Sequence, residues 1–507
     1  MSDKNTISLV NIPLGKPIPD ISHSVSVSIP DWNQCWQYME QNEDIWKHIT
    51  AGYPRFYVNP ILRKLMDKMI EKHSINDNES CYIYPTMEIA LDCKEFILSH
   101  YDQNEINNPV IRIINDNEIY CVFHPLEIEV TAKQYWAKVG QAISSRQAEC
   151  FMNGVSKDNS SSSNVKDILR DRIAEIYGHS TTNNDVYLYP TGMASVYNSF
   201  KIIQKLRDGI PVCFGFPFVD TLRILRDFRE DESNEYVIFL GLGDEDSLIN
   251  LENELINGLK ISCLYCEFPS NPLLKSPNLR KIKELGDKYN FIIVVDDTIG
   301  NPFNIDVLEY CDLVISSLTK LFSGGADVMG GMIILNPKSK KYFEFKHEID
   351  LSYQDVLFIE DAKVLERNSR NFGQRNEIIN KNTETIVKFL QGCELISDIY
   401  YPSISESVDN YDFFKKSNGG GYGGLFSIVF KDKNNAIKFY NNIKYAKGPS
   451  LGTNFTLMCP FVMLAHFNEL DKVETKWGVK KDLIRISIGM EDINELLNEF
   501  NRVLKTL

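Results

Sequence analysis

No apolar run in the chain reaches the roughly 18 residues that a bilayer-crossing helix needs, so helical membrane spans are not expected. The opening residues, Met1-Ser2-Asp3-Lys4-Asn5, lack the basic-then-apolar layout of a secretory signal and the arginine-rich, acid-poor character of a transit peptide. A cytoplasmic location is the expectation, with the nucleus also open to it. Dense basic runs are missing too, and the net charge is −15. Nucleic acid and anionic membrane are therefore poor partners for this surface, although a pocket can still be locally positive. Nor is there a cysteine framework: the eleven cysteines are odd in number and scattered, as suits a reducing compartment. Cys263 and Cys266 have CxxC spacing, but they lie in a run that reads as a strand, where side chains three apart face opposite sides. Both are expected as small core residues, and no metal site is expected.

What remains is a soluble globular composition, 43% hydrophobic and 24% charged, in 507 residues, long enough for two or three domains. Residues 1–135 read as an N-terminal extension: an irregular proline-containing lead, a short strand over 24–29, a helix through Ile70, and two strands within 109–130. Residues 131–155 look helical, and the serine-rich tract 156–164 reads as a loop. From there the pattern becomes regular. Apolar strands recur at 186–189, 212–216, 236–240, 261–266, 291–295 and 313–315, with amphipathic helices between several of them. That alternation argues for a mostly parallel sheet covered on both faces, a large domain over 136–352. A long helical pattern over 353–391 connects it to a smaller α+β domain, 392–507. Tyr84-Pro85-Thr86-Met87 echoes Tyr189-Pro190-Thr191-Gly192-Met193, by chance or by duplication.

In open parallel sheets, ligands bind beyond the carboxyl ends of the strands. The conspicuous polar residues lie at those ends. After 186–189 come Thr191, Gly192 and Met193 at a helix start, where backbone amides and the helix dipole suit a phosphate. After 261–266 comes Glu267-Phe268-Pro269-Ser270-Asn271-Pro272. After 291–295 come Asp296 and Asp297, and a carboxylate behind an apolar strand is costly unless it meets a cation. After 313–315 come Ser317, Thr319 and Lys320, the last a candidate Schiff-base nucleophile if its surroundings lower its pKa. An anion cradle, a carboxylate, an amine and hydroxyls suit a cofactor with a phosphate, a protonatable ring nitrogen and an aldehyde: pyridoxal 5'-phosphate.

The ordered motifs Thr-Gly-Met-Ala, Glu-x-Pro-x-Asn-Pro, Val-Asp-Asp-Thr, Ser-x-Thr-Lys, Ser-Leu-Gly and Ile-Arg-x-Ser-x-Gly-x-Glu-Asp resemble the pyridoxal-phosphate family of cysteine and methionine metabolism. That family contains cystathionine γ-synthases, γ-lyases and β-lyases. Gly52-Tyr53-Pro54-Arg55-Phe56 and Lys447-Gly448-Pro449-Ser450-Leu451-Gly452 look closest to its long fungal cystathionine γ-synthase branch. The resemblance implies an aminotransferase-like, fold type I, α/β architecture: a large, mostly parallel seven-stranded sheet domain and a smaller C-terminal α+β domain. It implies that Lys320 is the Schiff-base lysine and proton shuttle and that Asp296 partners the ring nitrogen. Gly192, Met193, Ser317 and Thr319 would cradle the phosphate. Asn271 would sit near the ring and the substrate carboxylate, Arg485 would clamp that carboxylate, and Ser450 would lie in the adjoining loop.

Three positions depart from the family pattern. Phe218 stands where relatives stack a tyrosine on the ring, and it can stack but not transfer a proton. Pro449 stands where relatives often carry Glu. The Tyr-x-Arg pair that usually reaches a neighbouring subunit's phosphate is matched by Tyr53 with Arg55, or by Arg146 without a tyrosine. The implied reaction is γ-replacement of an O-acyl-homoserine, succinyl or acetyl, with cysteine to give cystathionine. The implied assembly is a homodimer or homotetramer with shared active sites. Cystathionine γ- or β-lyase and homoserine-ester sulfhydrylase are the rival activities, and a non-catalytic relative keeping the fold is the rival of another class.

Overall fold

The computed structural model describes residues 10–75, 78–101, 109–155, 162–178, 180–229 and 237–507, with the side chains of 162 and 163 left aside. Most of the serine-rich tract therefore lies outside the described residues.

The central sheet has seven strands. Their order is Val186–Tyr189, Gly331–Leu335, Leu313–Ser316, Ile292–Asp296, Ile261–Glu267, Ile210–Phe214 and Ile238–Leu240. Gly331–Leu335 runs antiparallel to both its neighbours, and the remaining pairs are parallel. Before their carboxyl ends the strands are almost wholly apolar, and their two faces are buried against separate cores. Alternation divides them cleanly: Cys263, Tyr265, Ile292, Val294 and Ile315 enter one core. Leu264, Cys266, Ile293, Val295 and Val314 enter the other. Cys263 and Cys266 thus lie on opposite faces, as strand geometry requires.

The same alternation sets the ends. Glu267 and Asp296 continue the face of Tyr265 and Val294, whereas Asp297 continues the face of Val295. Tyr177 reaches Asp297 from that side, its hydroxyl donating to Oδ2 over 2.5 Å.

The smaller sheet runs Ile396–Tyr400, Leu425–Phe430, Ile484–Ser487, Leu457–Pro460, Ala446–Lys447, with only the last pair parallel. The helical stretch expected over 353–391 is two helices, Ile359–Ser369 and Phe372–Gln391, separated where Asn371 leaves helical geometry (φ −112°, ψ 26°). The second helix spans both domains: Phe372 and Ile379 pack on the large-domain core, Ile386 and Leu390 on the small one.

The residues read as one N-terminal extension divide mainly between two cores, with Ile18 and Val25 in a small third cluster beside Ala326 and Leu457. Val27, Ile29, Trp32, Cys35 and Ile49 complete the small-domain core. The strand expected over 24–29 is an irregular segment held by an isolated bridge between Pro17 and Val27. Further on, a three-stranded antiparallel sheet, Glu79–Tyr84, Ile119–Pro125 and Arg112–Asp116, packs with Pro60–His73, Met87–Ser99 and Glu129–Val139 onto one face of the large sheet. The helix expected over 131–155 is two, Glu129–Val139 and Ser145–Met152, because Gly140 turns into the left-handed region (φ 69°). The sequence echo is a local structural echo. Thr86 and Thr191 each follow a strand and cap the next helix, accepting from the amides of Ile89 and Ala194 at 3.3 and 3.0 Å.

Candidate functional site

A single cleft opens over the carboxyl ends of the parallel strands. Tyr53, Arg55, Gly192, Met193, Phe218, Asn271, Asp296, Ser317, Lys320, Ser450 and Arg485 all line it. Thr319 does not: its hydroxyl is paired with the backbone of Gly330, accepting from the amide at 3.1 Å. Arg146 lies elsewhere, donating to Asp361 Oδ1 at 3.0 Å and to the Asp327 carbonyl at 2.7 Å.

Lys320 sits in the turn after Leu313–Ser316, with its Nζ donating to Ser450 Oγ at 3.2 Å and 4.5 Å from the centre of the Tyr53 ring. Burial lowers its pKa, and the Arg485 and Arg55 guanidiniums act in the same direction against the tyrosine's opposing pull. A neutral, nucleophilic amine is thereby favoured. The loop carrying Ser450 can approach this closely only through Gly452 (φ 68°), where a Cβ would lie 2.9 Å from Lys320 Cβ and 2.8 Å from the Leu321 amide nitrogen.

Asp296 ends its strand beside Glu267, its register partner. Thr298 braces the pair of strand ends: its amide donates to Asp296 Oδ1 at 2.9 Å, and its hydroxyl oxygen accepts from the Ser317 amide at 2.8 Å. Burial raises the pKa of Asp296, and that of Glu267 rises well above normal through burial and then the neighbouring Asp296 charge. Glu267 Oε1 accepts from the Phe218 amide, while Oε2 is buried and has no partner. Two adjoining acids of this kind call for a cation, which a protonated ring nitrogen supplies. Glu267 was legible as a candidate, since it terminates an apolar strand as Asp296 does, but the motif reading drew attention only to Asn271.

At the other end of the cleft the helix Gly192–Leu206 points its N-terminus at Ser317. A Cβ on Gly192 would lie 2.8 Å from Ser317 Cβ, so only glycine leaves room for an anion to meet the free amides. Arg55, 3% exposed, lines this part of the cleft, held by Asp220 Oδ2 at 3.1 Å and the Ala137 carbonyl at 2.6 Å. Asp220 is a functional candidate with no sequence signal. Tyr53 feels burial, which raises its pKa, but the Lys320 and Arg55 charges outweigh this and leave it below the ordinary phenol value.

On the domain-facing side, Arg485 is buried on strand Ile484–Ser487. It donates to Asn271 Oδ1 at 3.2 Å and to the Pro449 and Ser450 carbonyls at 2.8 and 3.2 Å. Its guanidinium lies 4.6 Å from the Phe461 ring centre. The cleft therefore offers an anion cradle, an amine, an acid pair and a second, separate cation. This donor set fits a phosphorylated pyridine aldehyde together with an amino-acid carboxylate. Among the described residues no cluster of His, Cys, Asp or Glu forms a metal site, and no helix is long and apolar enough to cross a membrane.

Residues 159–505 match the family model described as Cys/Met metabolism PLP-dependent enzyme, and residues 61–144 match that of the fungal trans-sulfuration enzyme N-terminal domain. The cystathionine gamma-synthase of Neurospora crassa is 33% identical, over 97% of this chain and 98% of that one. The cystathionine gamma-synthase of Saccharomyces cerevisiae is 32% identical, over 98% and 99%. Among solved structures, cystathionine gamma synthase from Xanthomonas oryzae pv. oryzae in complex with cystathionine superposes with a TM-score of 0.57 at 22% identity, covering 68% of this chain and 85% of that chain. At that identity the likeness is one of fold.

Proposed function

Because the chain belongs to the family of pyridoxal-phosphate-dependent enzymes of cysteine and methionine metabolism, we propose that it joins an O-acyl-homoserine to cysteine, releasing the acyl group and forming cystathionine. The observation that carries this reading is the position of the Lys320 amine in one cleft with the Asp296 acid and the Arg485 cation.

Bound in the cleft, pyridoxal phosphate supplies an aldehyde for amines and a ring that takes up the electrons released at Cα. The chain's own residues do the rest. The Gly192 helix start, Ser317 and Arg55 hold the phosphate. Asp296 as an anion keeps the ring nitrogen protonated. Arg485, oriented by Asn271, receives the substrate α-carboxylate. Lys320 takes the Cα proton and carries it within the substrate. Loss of a Cβ proton then expels the acyl carboxylate from Cγ, the cysteine thiolate bonds to Cγ in its place, and protons return to Cβ and then, from Lys320, to Cα. A homo-oligomeric cytoplasmic enzyme of trans-sulfuration and methionine biosynthesis is the setting that fits this activity.

The test is product analysis with purified, cofactor-loaded protein. O-acetyl- or O-succinylhomoserine with cysteine is expected to yield cystathionine, and the preferred ester identifies the acyl group. Consumption of cystathionine with no synthesis from either ester would assign a lyase instead. Homocysteine formed from ester and sulfide, with cysteine ignored, would assign a sulfhydrylase.

A further inference from the structure

We propose that residues 52–56 form a strap that completes the cofactor cleft from within the same chain, with Arg55 as the phosphate cation and Tyr53 as the phenol beside Lys320. The inference rests on the proposed cofactor. It departs from the assembly that the resemblance implies, in which the corresponding pair crosses from a neighbouring subunit.

Three observations carry it. First, Tyr53 and Arg55 line the same cleft as Lys320 and Gly192 of their own chain, and Tyr53 is the only tyrosine among the described residues lining it. Arg55 is held there by a buried ion pair with Asp220, itself in the helix Val219–Asp227 of the large domain.

Second, the chain is anchored on itself on both sides of the strap. Before it, the Val25 amide donates to the Ala326 carbonyl at 2.9 Å and the Ile29 amide to the Lys447 carbonyl at 2.9 Å. The Trp32 amide donates to Asn441 Oδ1 at 2.8 Å, and the Tyr440 hydroxyl to the Ile29 carbonyl at 2.8 Å. After it, Asn59 caps the helix Pro60–His73, whose Leu62, Leu65 and Met66 share a core with Met193, Val196 and Phe200 of the helix that begins at Gly192. The strap thus runs from the small domain to the N-terminal layer and crosses the cleft between them.

Third, Phe218 lines the cleft with a ring that carries no hydroxyl, and Tyr53 brings a phenol within 4.5 Å of Lys320 Nζ, measured to its ring centre.

The experiment uses two full-length variants, Arg55→Lys and Lys320→Ala, co-expressed with different tags so that any hybrid oligomer is isolated by sequential purification. Arg55→Lys is chosen because Arg55→Ala would leave buried Asp220 Oδ2 without its cation, Arg223 holding only Oδ1. Pyridoxal phosphate is titrated in, trapped by borohydride, and read as the pyridoxyl mass on the Lys320 peptide, which only the Arg55→Lys chain can carry. The strap predicts that this chain binds about 10- to 100-fold more weakly than wild type, the range for a lost charged hydrogen bond, in the hybrid as in the Arg55→Lys homo-oligomer. If only a monomer forms, wild-type labelling affinity in that monomer also supports the strap. Return to wild-type affinity in the hybrid alone would show that Arg55 crosses between subunits and would overturn it. Absence of labelling in wild type would instead strike the cofactor reading itself.

Discussion

Glu267 and Asp296 are register partners at the last positions of two adjacent parallel strands, facing the cleft side by side. Burial and then the neighbouring Asp296 charge raise the pKa of Glu267 well above that of an ordinary carboxyl, and burial raises that of Asp296 as well. Asp296→Asn is expected to weaken cofactor binding about 10- to 100-fold. Glu267→Gln, an isosteric neutral replacement, should leave it close to wild type at neutral pH. Cofactor titration of both proteins checks this. Equal losses would mean that Glu267 also binds as an anion.

Tyr53 carries the acid–base prediction. With Phe218 unable to move a proton, Tyr53→Phe should lower kcat by about 10²- to 10⁴-fold, the usual contribution of a positioned general acid or base. Pyridoxal phosphate affinity should change far less. Phe218→Tyr alone should leave kcat near wild type. Steady-state kinetics on the two variants decide it. A small effect at Tyr53 with a gain at Phe218 would move the proton transfer elsewhere.

Much of this site was legible because a parallel sheet converts sequence into position. Each polar residue that follows an apolar strand is delivered to the same edge, so Lys320, Asp296, Asn271 and Gly192 could be read from the strand pattern and the motifs. Alternation also separated Cys263 from Cys266. Contacts made across long sequence separations were not legible. Asp220 pairs with Arg55 across 165 residues, and nothing local marks either as half of a buried pair. The resemblance implied that Thr319 joins the phosphate cradle; that its hydroxyl also accepts from the Gly330 amide, 11 residues on, is shown by no motif. The division of the N-terminal residues between two cores depends on which apolar faces the domains leave open, and a single sequence does not display that.

Asp297 faces away from the cleft. Burial, against the Tyr177 hydrogen bond, pushes its pKa up to about 7. An unfolded Asp titrates near 3.9, so between about pH 4 and 7 the folded state binds more protons and stability falls as pH rises. Asp297→Asn keeps an acceptor for Tyr177 and removes that titration. In cofactor-free protein the variant's stability relative to wild type should therefore rise across this window, by at most on the order of 4 kcal/mol. Parallel melts from pH 4 to 8 measure it. A constant difference would show that Asp297 titrates normally.

Arg485 is buried with a fork of contacts to Asn271 and the 449–450 carbonyls. A lysine cannot reproduce that geometry. Arg485→Lys should cost about 10- to 100-fold in kcat/KM, chiefly through KM for the amino-acid substrate, with cofactor binding kept. A loss confined to cofactor retention would place the substrate carboxylate elsewhere.

The most direct test of the whole account is where the cofactor attaches. Protein equilibrated with pyridoxal phosphate, reduced with borohydride and digested should carry one pyridoxyl group, on the peptide containing Lys320, and Lys320→Ala should carry none. A pyridoxyl group on a different lysine, or unchanged labelling of Lys320→Ala, would contradict it.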